Sequence, residues 1–341
     1  MGADSLAAPH HSPGREADWA GAQESRQNSI TAVPGVSVGH LTLAEGEVQT
    51  GVTVILPYPL AVRNRKLFIG SFAGSNWNEW TGWHVAQDFG TFSSPIVLCN
   101  ATAVGTAYDA LITFGHQRHN ELPIDNGWPP LVIGVDDGYL NNLRERRLTS
   151  EQVLATIHAA AQAPACGSVG IGRGLCAFGG KGGVGEAARS LIVADQQFIL
   201  GALLAANGGR FAHQREAELP ASLTPSFVLI LGTSAPLLPL QLCQLAEAGM
   251  RGLDRLDLCL QNEQRLALAF STTNTMDGAF EEKFQLFRER WYGTGTIALL
   301  SQAAAELATQ ALQRALQQTE VITGRKGRQL RPVDLTHLAV P

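Results

Sequence analysis

The sequence predicts an α+β fold of packed layers, and three observations point there. Hydrophobic residues make up 45% of the 341 positions and charged residues only 16%, which suits a large core. From Ile30 onward, short Val/Ile/Leu/Phe runs alternate with Gly-, Asn- and Pro-rich turns. Many of those runs are continuous rather than alternating, the pattern of strands covered on both faces. Strands and helices also follow one another without regular βαβ alternation, which argues against a doubly wound sheet.

Taken in chain order, the runs predict strands at 52–56, 66–72, 95–99, 131–135, 191–194, 198–205, 226–231 and 266–271. Thr149 with Gln152 forms a capping box before Val153, Leu154, Ile157 and Ala160, which starts a helix. Pro239 opens a second helix through Leu242, Leu245 and Ala246, and Gly249 is expected to end it in the left-handed conformation. A third, Ala-rich helix is expected over 297–318, where small side chains let a neighbouring helix approach closely.

A chain of this length could hold two domains, but α/β folds often run this long as one. Residues 1–27 are rich in Ala, Pro, Gly, Ser, His and charge, with no apolar core of a secretory signal. They are read as a disordered tail, and 28–341 as one domain. A net charge of −5 argues against nucleic acid or an anionic membrane surface as partner. No apolar run reaches membrane-spanning length without interruption. The one arginine cluster, Arg144, Arg146 and Arg147 around Glu145, reads as a solvated turn. Five scattered cysteines without CxxC spacing suggest reduced thiols in a cytoplasmic protein, with neither a disulfide framework nor a zinc site.

Several tempting motifs fail. The glycine-dense stretch GSVGIGRGLCAFGGKGGVGEAARS (167–190) is no P-loop, because Leu175 stands where the first glycine belongs and Gly182 follows Lys181. GVGEAA (183–188) matches a degenerate dinucleotide pattern but lacks the strand before and helix after it. Backbone at close quarters is the better use of those glycines. His116 and His119 sit three apart in what reads as a polar loop, without metal spacing, and no GxSxG elbow occurs. No metal and no cofactor is expected.

An ordered set of segments is more specific. SITAVPGVSVGHLTLAEGEVQTGVTVILPYP (29–59), NEWTGW (78–83), SPIVLCNATAVGTAYDA (94–110), DDGYLNN (136–142) and KGGVGEAAR (181–189) come first. SFVLILGTSAPLLPLQL (226–242), LAFSTTN (268–274) and ITGRKGRQLRP (322–332) follow. Together they resemble the DmpA-type family of L-aminopeptidase/D-esterases and β-peptidyl aminopeptidases, over residues 29 to about 335.

The resemblance implies a four-layer α/β/β/α sandwich, a tetramer, and a precursor that cuts itself before a Ser or Thr. That residue then becomes the N-terminal nucleophile for small peptide-like substrates. Ser226 stands at this position, with the expected cleavage between Pro225 and Ser226. A serine hydroxyl needs a base beside it, and a free α-amine, with a pKa of about 8, can accept its proton. By the same resemblance Asn207, in LLAANGG, is the oxyanion donor.

Three departures from the family pattern stand out. Proline precedes the nucleophile. The segment LQNEQRLALAFST puts Glu263 and Arg265 where the family has a serine and an acid, making Glu263 the candidate relocated acid and Arg265 a reversed charge near Ser226. Gly134 replaces the family's ammonium-binding Glu. Asp136 is the candidate substitute, since two residues along a strand return to the same face. With Tyr139 of the same segment it makes up the substrate-binding candidates. These departures leave open an unprocessed protein that keeps the fold for binding, and an amidase for substrates lacking a free amine.

Overall fold

The computed structural model describes residues 23–24, 28–58, 65–74, 79–118, 129–193, 196–211, 214, 226–256, 258–259, 264–277 and 294–336. The principal strands are β1 (Ser37–Glu45), β2 (Val48–Leu56), β3 (Arg65–Ala73), β4 (Ile96–Asn100) and β5 (Leu131–Val135) in the first half. They are followed by β6 (Gly183–Val193), β7 (Gln196–Ala206), β8 (Ser226–Thr233) and β9 (Gln264–Asp277). The α-helices are α1 (Trp83–Phe89), α2 (Val104–Arg118), α3 (Ser150–His158), α4 (Pro239–Gly252) and α5 (Thr294–Gln317).

Strands β1-β2-β4-β5 form the smaller sheet. The larger runs β6-β7-β8-β9-β3, with two-residue strands Gln23–Glu24 and Thr91–Phe92 at its edges. Within the larger sheet β8 and β9 run parallel, while β7 pairs antiparallel with both β6 and β8.

Three cores separate four layers. Helices α4 and α5 cover one face of the larger sheet through Leu242, Leu245, Leu300 and Leu307 against Phe227 and Leu229. The two sheets meet face to face through Ile55, Leu98, Ile133, Val228, Ile230 and Leu268. Helices α2 and α3 cover the smaller sheet through Leu111, Phe114, Val153 and Ile157 against Val52 and Val97. Each such buried side chain contributes about 1.5–3 kcal/mol over an exposed one. The continuous apolar runs are thus strands with a core on each side, giving the α/β/β/α order.

Local signals hold in part. Thr149 accepts from the Gln152 N–H at 3.3 Å, and Gln152 Oε1 accepts from the Thr149 N–H at 3.0 Å, which is the capping box. Pro239 does open α4. Gly249, however, does not end it: α4 runs on to Gly252, because Gly249 seats the helix against the side chains of Leu229 and Leu231. Gly252 and Ala305 bring α4 and α5 nearly backbone to backbone; a Cβ on Gly252 would lie 2.5 Å from Ala305 Cα.

Helix α2 fell outside the sequence expectation, and His116 lies in its last turn rather than in a loop. Its Gly, Val, Thr and Ile content weakens helix propensity. The buried set Ala107, Ala110, Leu111 and Phe114 nevertheless has helical spacing. His119 lies outside the described residues. Strand β6 starts at Gly183, eight positions before the expected 191, so the glycine pattern is strand rather than nucleotide loop.

The glycines of β6 serve close approach. A Cβ on Gly185 would stand 2.0 Å from Ala311 O and 2.4 Å from Ala315 N of α5. Alanine in place of glycine ordinarily stabilises a compatible backbone. Gly185→Ala is expected instead to destabilise, by about 1–3 kcal/mol from overpacking, read as a lower midpoint in urea unfolding. An unchanged midpoint would refute this seating of α5.

Candidate active site

Strand β7 ends at Ala206 and β8 begins at Ser226. Their antiparallel register pairs Ala205 with Val228, so the next pair in the same phase is Asn207 with Ser226. The Ser226 N–H donates to Asn207 O at 2.7 Å. Asn207 Nδ2 in turn donates to Ser226 Oγ at 3.1 Å and to Asp136 O at 2.7 Å. Asn207 Oδ1 accepts from the Cys176 N–H at 3.1 Å. Both side chains are buried, so this amide is a fixed dipole aimed at one hydroxyl.

The chain bends away directly after Asn207. Gly208 and Gly209 take φ of 100° and 76°, values that favour glycine. The Gly208 N–H then donates to Cys176 O at 2.6 Å, and the Phe178 N–H donates to Gly208 O at 3.0 Å. The glycine-dense segment therefore runs alongside the end of β7 and brings Cys176 to Asn207.

Two buried charges lie close by. Asp137 accepts from Thr50 Oγ1 and, at 3.1 Å, from Asn141 Nδ2, while the N–H of Gln49 donates to Asn141 Oδ1 at 3.1 Å. Asp137 thus fastens the turn after β5 to the start of β2. Burial raises its carboxyl to about 7, against the hydrogen bonds from Thr50 and Asn141, which pull it down. Lys181 is fully buried, and its Nζ donates to Gly172 O, Leu175 O and Gly182 O at 2.6, 2.8 and 2.6 Å. Burial lowers its ammonium to about 7. Among the described residues no group of His, Cys, Asp and Glu could hold a metal ion.

A serine in a strand end, its hydroxyl held by a buried amide, is an arrangement suited to acyl transfer. The sequence model of peptidase family S58 matches residues 28–330. The chain belongs to peptidase family S58. It is 28% identical to the β-peptidyl aminopeptidase BapA of Sphingosinicella microcystinivorans over 88% of this chain and 84% of that one. Among solved structures it is similar to the PH0078 protein of Pyrococcus horikoshii OT3 (TM-score 0.83, 30% identity, 91% and 92% of the two chains). It is also similar to a Burkholderia sp. β-aminopeptidase (0.80, 30%, 92% and 93%). A third is the L-aminopeptidase D-Ala-esterase/amidase of Ochrobactrum anthropi (0.81, 26%, 92% and 92%), a prototype of the serine aminopeptidases with a variant of the Ntn-hydrolase fold. The chain is accordingly a serine hydrolase of the N-terminal-nucleophile fold.

Within this S58 chain the site candidates fall as follows. Ser226 and Asn207 come together. Asp136 joins them through its backbone carbonyl, while its carboxylate accepts from the Gly138 N–H at 2.9 Å, just past the end of β5. Tyr139 packs beside Leu140 and Cys176, under the Arg328 guanidinium at 4.6 Å from its ring centre. Pro225 and Glu263 lie outside the described residues. Arg265 is paired in register with Phe227 and so belongs to the helix-covered face, where its Nη1 donates to Asp254 at 2.5 Å. The reversed charge is thereby directed away from Ser226. Beside Gly134, a Cβ would stand 2.9 Å from Ala101 Cα and 3.0 Å from Glu79 Cβ. Sequence reasoning missed the Cys176 N–H and the burial of Lys181; the signal for the latter was a cation isolated between glycine pairs.

The raised carboxyl gives a stability prediction. A group whose folded-state pKa rises from 3.8 to about 7 binds its proton more tightly when folded. Its contribution is full below the lower value and is lost as pH rises through the upper one. Asp137→Asn is expected to flatten the decline of unfolding free energy between pH 4 and 7, measured by urea titration at several pH values. Glu186, also raised to about 7 by burial, adds a slope of the same sign, and His40, lowered to about 4 by burial, one of the opposite sign. A slope identical to wild type would show that Asp137 does not titrate there.

Proposed function

We propose that this chain is an aminopeptidase, amidase or esterase for small peptide-like substrates, matured by its own cleavage between Pro225 and Ser226. The observation that carries the reading is Ser226 at the mouth of β8, held through both its N–H and its hydroxyl by Asn207.

In maturation, Ser226 Oγ attacks the carbonyl carbon of Pro225 and displaces its own nitrogen, leaving an ester and a free α-amine. Water hydrolyses the ester, and residue 225 leaves with a carboxylate. The new amine, with an ordinary pKa of about 8, is the base that Ser226 lacked. Asn207 O, which accepts from this nitrogen, keeps it beside its own hydroxyl.

In turnover, Oγ attacks the substrate carbonyl while the amine takes the hydroxyl proton and returns it to the leaving amine or alcohol. The oxyanion develops on the carbon that Oγ attacks, within reach of Asn207 Nδ2, which needs no proton change to donate. Water then releases the acyl group and restores Ser226. In this reading Asp136, whose main-chain carbonyl accepts from Asn207 Nδ2, and Tyr139 are the substrate contacts, and the Asp136 carboxylate suits a substrate ammonium. Glu263 is the further acid in this reading.

The same reading makes the protein a homotetramer, its 16% charge content suiting faces covered by sister subunits. It places the chain in the cytoplasm, where free thiols such as Cys99 and Cys176 persist. Among the described residues no helix is long and apolar enough to cross a membrane.

Mass spectrometry of the purified protein tests maturation. Wild type is expected as two pieces, 1–225 and 226–341, and Ser226→Ala as the intact 36.3 kDa chain. On an amino-acid p-nitroanilide, Ser226→Ala is expected to lose at least about 10³-fold in kcat, and Asn207→Ala about 10²–10³-fold. An uncut wild type with an equally active Ser226→Ala variant would refute the proposal.

A further inference from the structure

The glycine-dense segment holds a feature that the acyl-transfer chemistry leaves unused. Lys181 is fully buried, and all three of its acceptors are neutral backbone carbonyls: Gly172, Leu175 and Gly182. Three acceptors at 2.6–2.8 Å use all three N–H bonds of an ammonium; a neutral amine would set its lone pair against one of them. Taking a cation out of water costs several kcal/mol, and an apolar side chain would fill the same space without that cost. The same side chain would leave those carbonyls without this donor, which costs about 1–3 kcal/mol for each one left unpaired, so stability alone does not account for a lysine here.

Geometry does give a reason. The Leu175–Cys176 peptide is a planar unit, so fixing its oxygen fixes the direction of its N–H. Its oxygen accepts from Lys181 Nζ and from the Gly182 N–H at 3.0 Å. Its N–H points the opposite way, onto Asn207 Oδ1. A cation on the carbonyl polarises the peptide and makes that N–H a stronger donor. The asparagine amide is thereby held with its oxygen toward Cys176 and its nitrogen toward Asp136 O and Ser226 Oγ.

We propose that Lys181 is a positioning residue for the reaction: through the Leu175–Cys176 peptide it locks the Asn207 amide in the orientation that places Nδ2 on Ser226 Oγ. The inference rests on the reading of Ser226 as nucleophile and of Asn207 as the donor to the developing oxyanion. It also explains why glycines crowd this segment. A Cβ on Gly182 would lie 2.3 Å from Ala206 O, and one on Gly172 would lie 2.4 Å from Gly167 O. Glycine at 172 and 182 lets two of the three carbonyls close around one ammonium beside the end of β7.

A double-mutant cycle tests it. With an amino-acid p-nitroanilide, Lys181→Met is expected to lower kcat by about ten- to a hundred-fold while KM stays within about two-fold. Lys181→Gln, which retains two donors, is expected to recover part of that loss. In an Asn207→Ala background, Lys181→Met is expected to change kcat by less than about two-fold, since the residue it positions is gone. Equal losses in both backgrounds, or a wild-type kcat for Lys181→Met, would overturn the proposal. An active Ser226→Ala variant would instead overturn the nucleophile reading.

A second readout needs no activity. In a Ser226→Ala background, the side-chain amide signal of Asn207 in a ¹H–¹⁵N spectrum is expected to move or broaden on Lys181→Met, or on Lys181→Gln if the methionine variant does not fold. A signal in its original place would refute the relay.

Discussion

The antiparallel register between β7 and β8 is the constraint on which the site depends. It brings Asn207 opposite Ser226 across a gap of eighteen intervening positions in the chain. A one-residue slip of β8 would turn Ser226 to the opposite face of the sheet, away from Asn207. The register is fixed by close packing on two faces at once. Phe227 and Leu229 enter the core beneath the helices, while Val228 and Ile230 enter the core between the sheets. A shifted pairing would put side chains of the wrong shape into both cores, so the hydroxyl and the amide meet without a side-chain device dedicated to bringing them together.

Close backbone approach is the second organising element. Small residues let α5 settle onto β6 and α4 settle onto α5, at Gly185 and at Gly252 against Ala305. The glycines at 172 and 182 likewise let carbonyls converge on Lys181. Packing and site electrostatics thus share one compositional cause. The high glycine content is a structural requirement of the layers rather than the phosphate cradle that its spacing first suggests.

Buried ionisable groups around the site are held by different means. Asp137 has side-chain donors from Thr50 and Asn141, and Lys181 has backbone acceptors alone. Both sit where desolvation works against their charge. Each fastens a segment that reaches Asn207, the turn after β5 through the Asp136 carbonyl and the glycine segment through the Cys176 N–H. The asparagine is therefore held from two directions by chain that is itself anchored.

Much of the fold was legible in the sequence, because its strongest signals are local. Continuous apolar runs marked most of the strands, Thr149 with Gln152 marked the start of α3, and Pro239 marked the start of α4. The ordered segments pointed to the family and to Ser226 and Asn207 as a pair. Helix α2 escaped because weak helix formers masked a sound periodicity, and Gly249 misled because its use was packing rather than termination. What only the tertiary structure decided was the direction of polar groups: Arg265 toward Asp254, the Asp136 carboxylate toward Gly138, Lys181 toward three carbonyls. Those directions depend on which backbone groups converge from distant parts of the chain, and one-dimensional spacing does not contain that convergence.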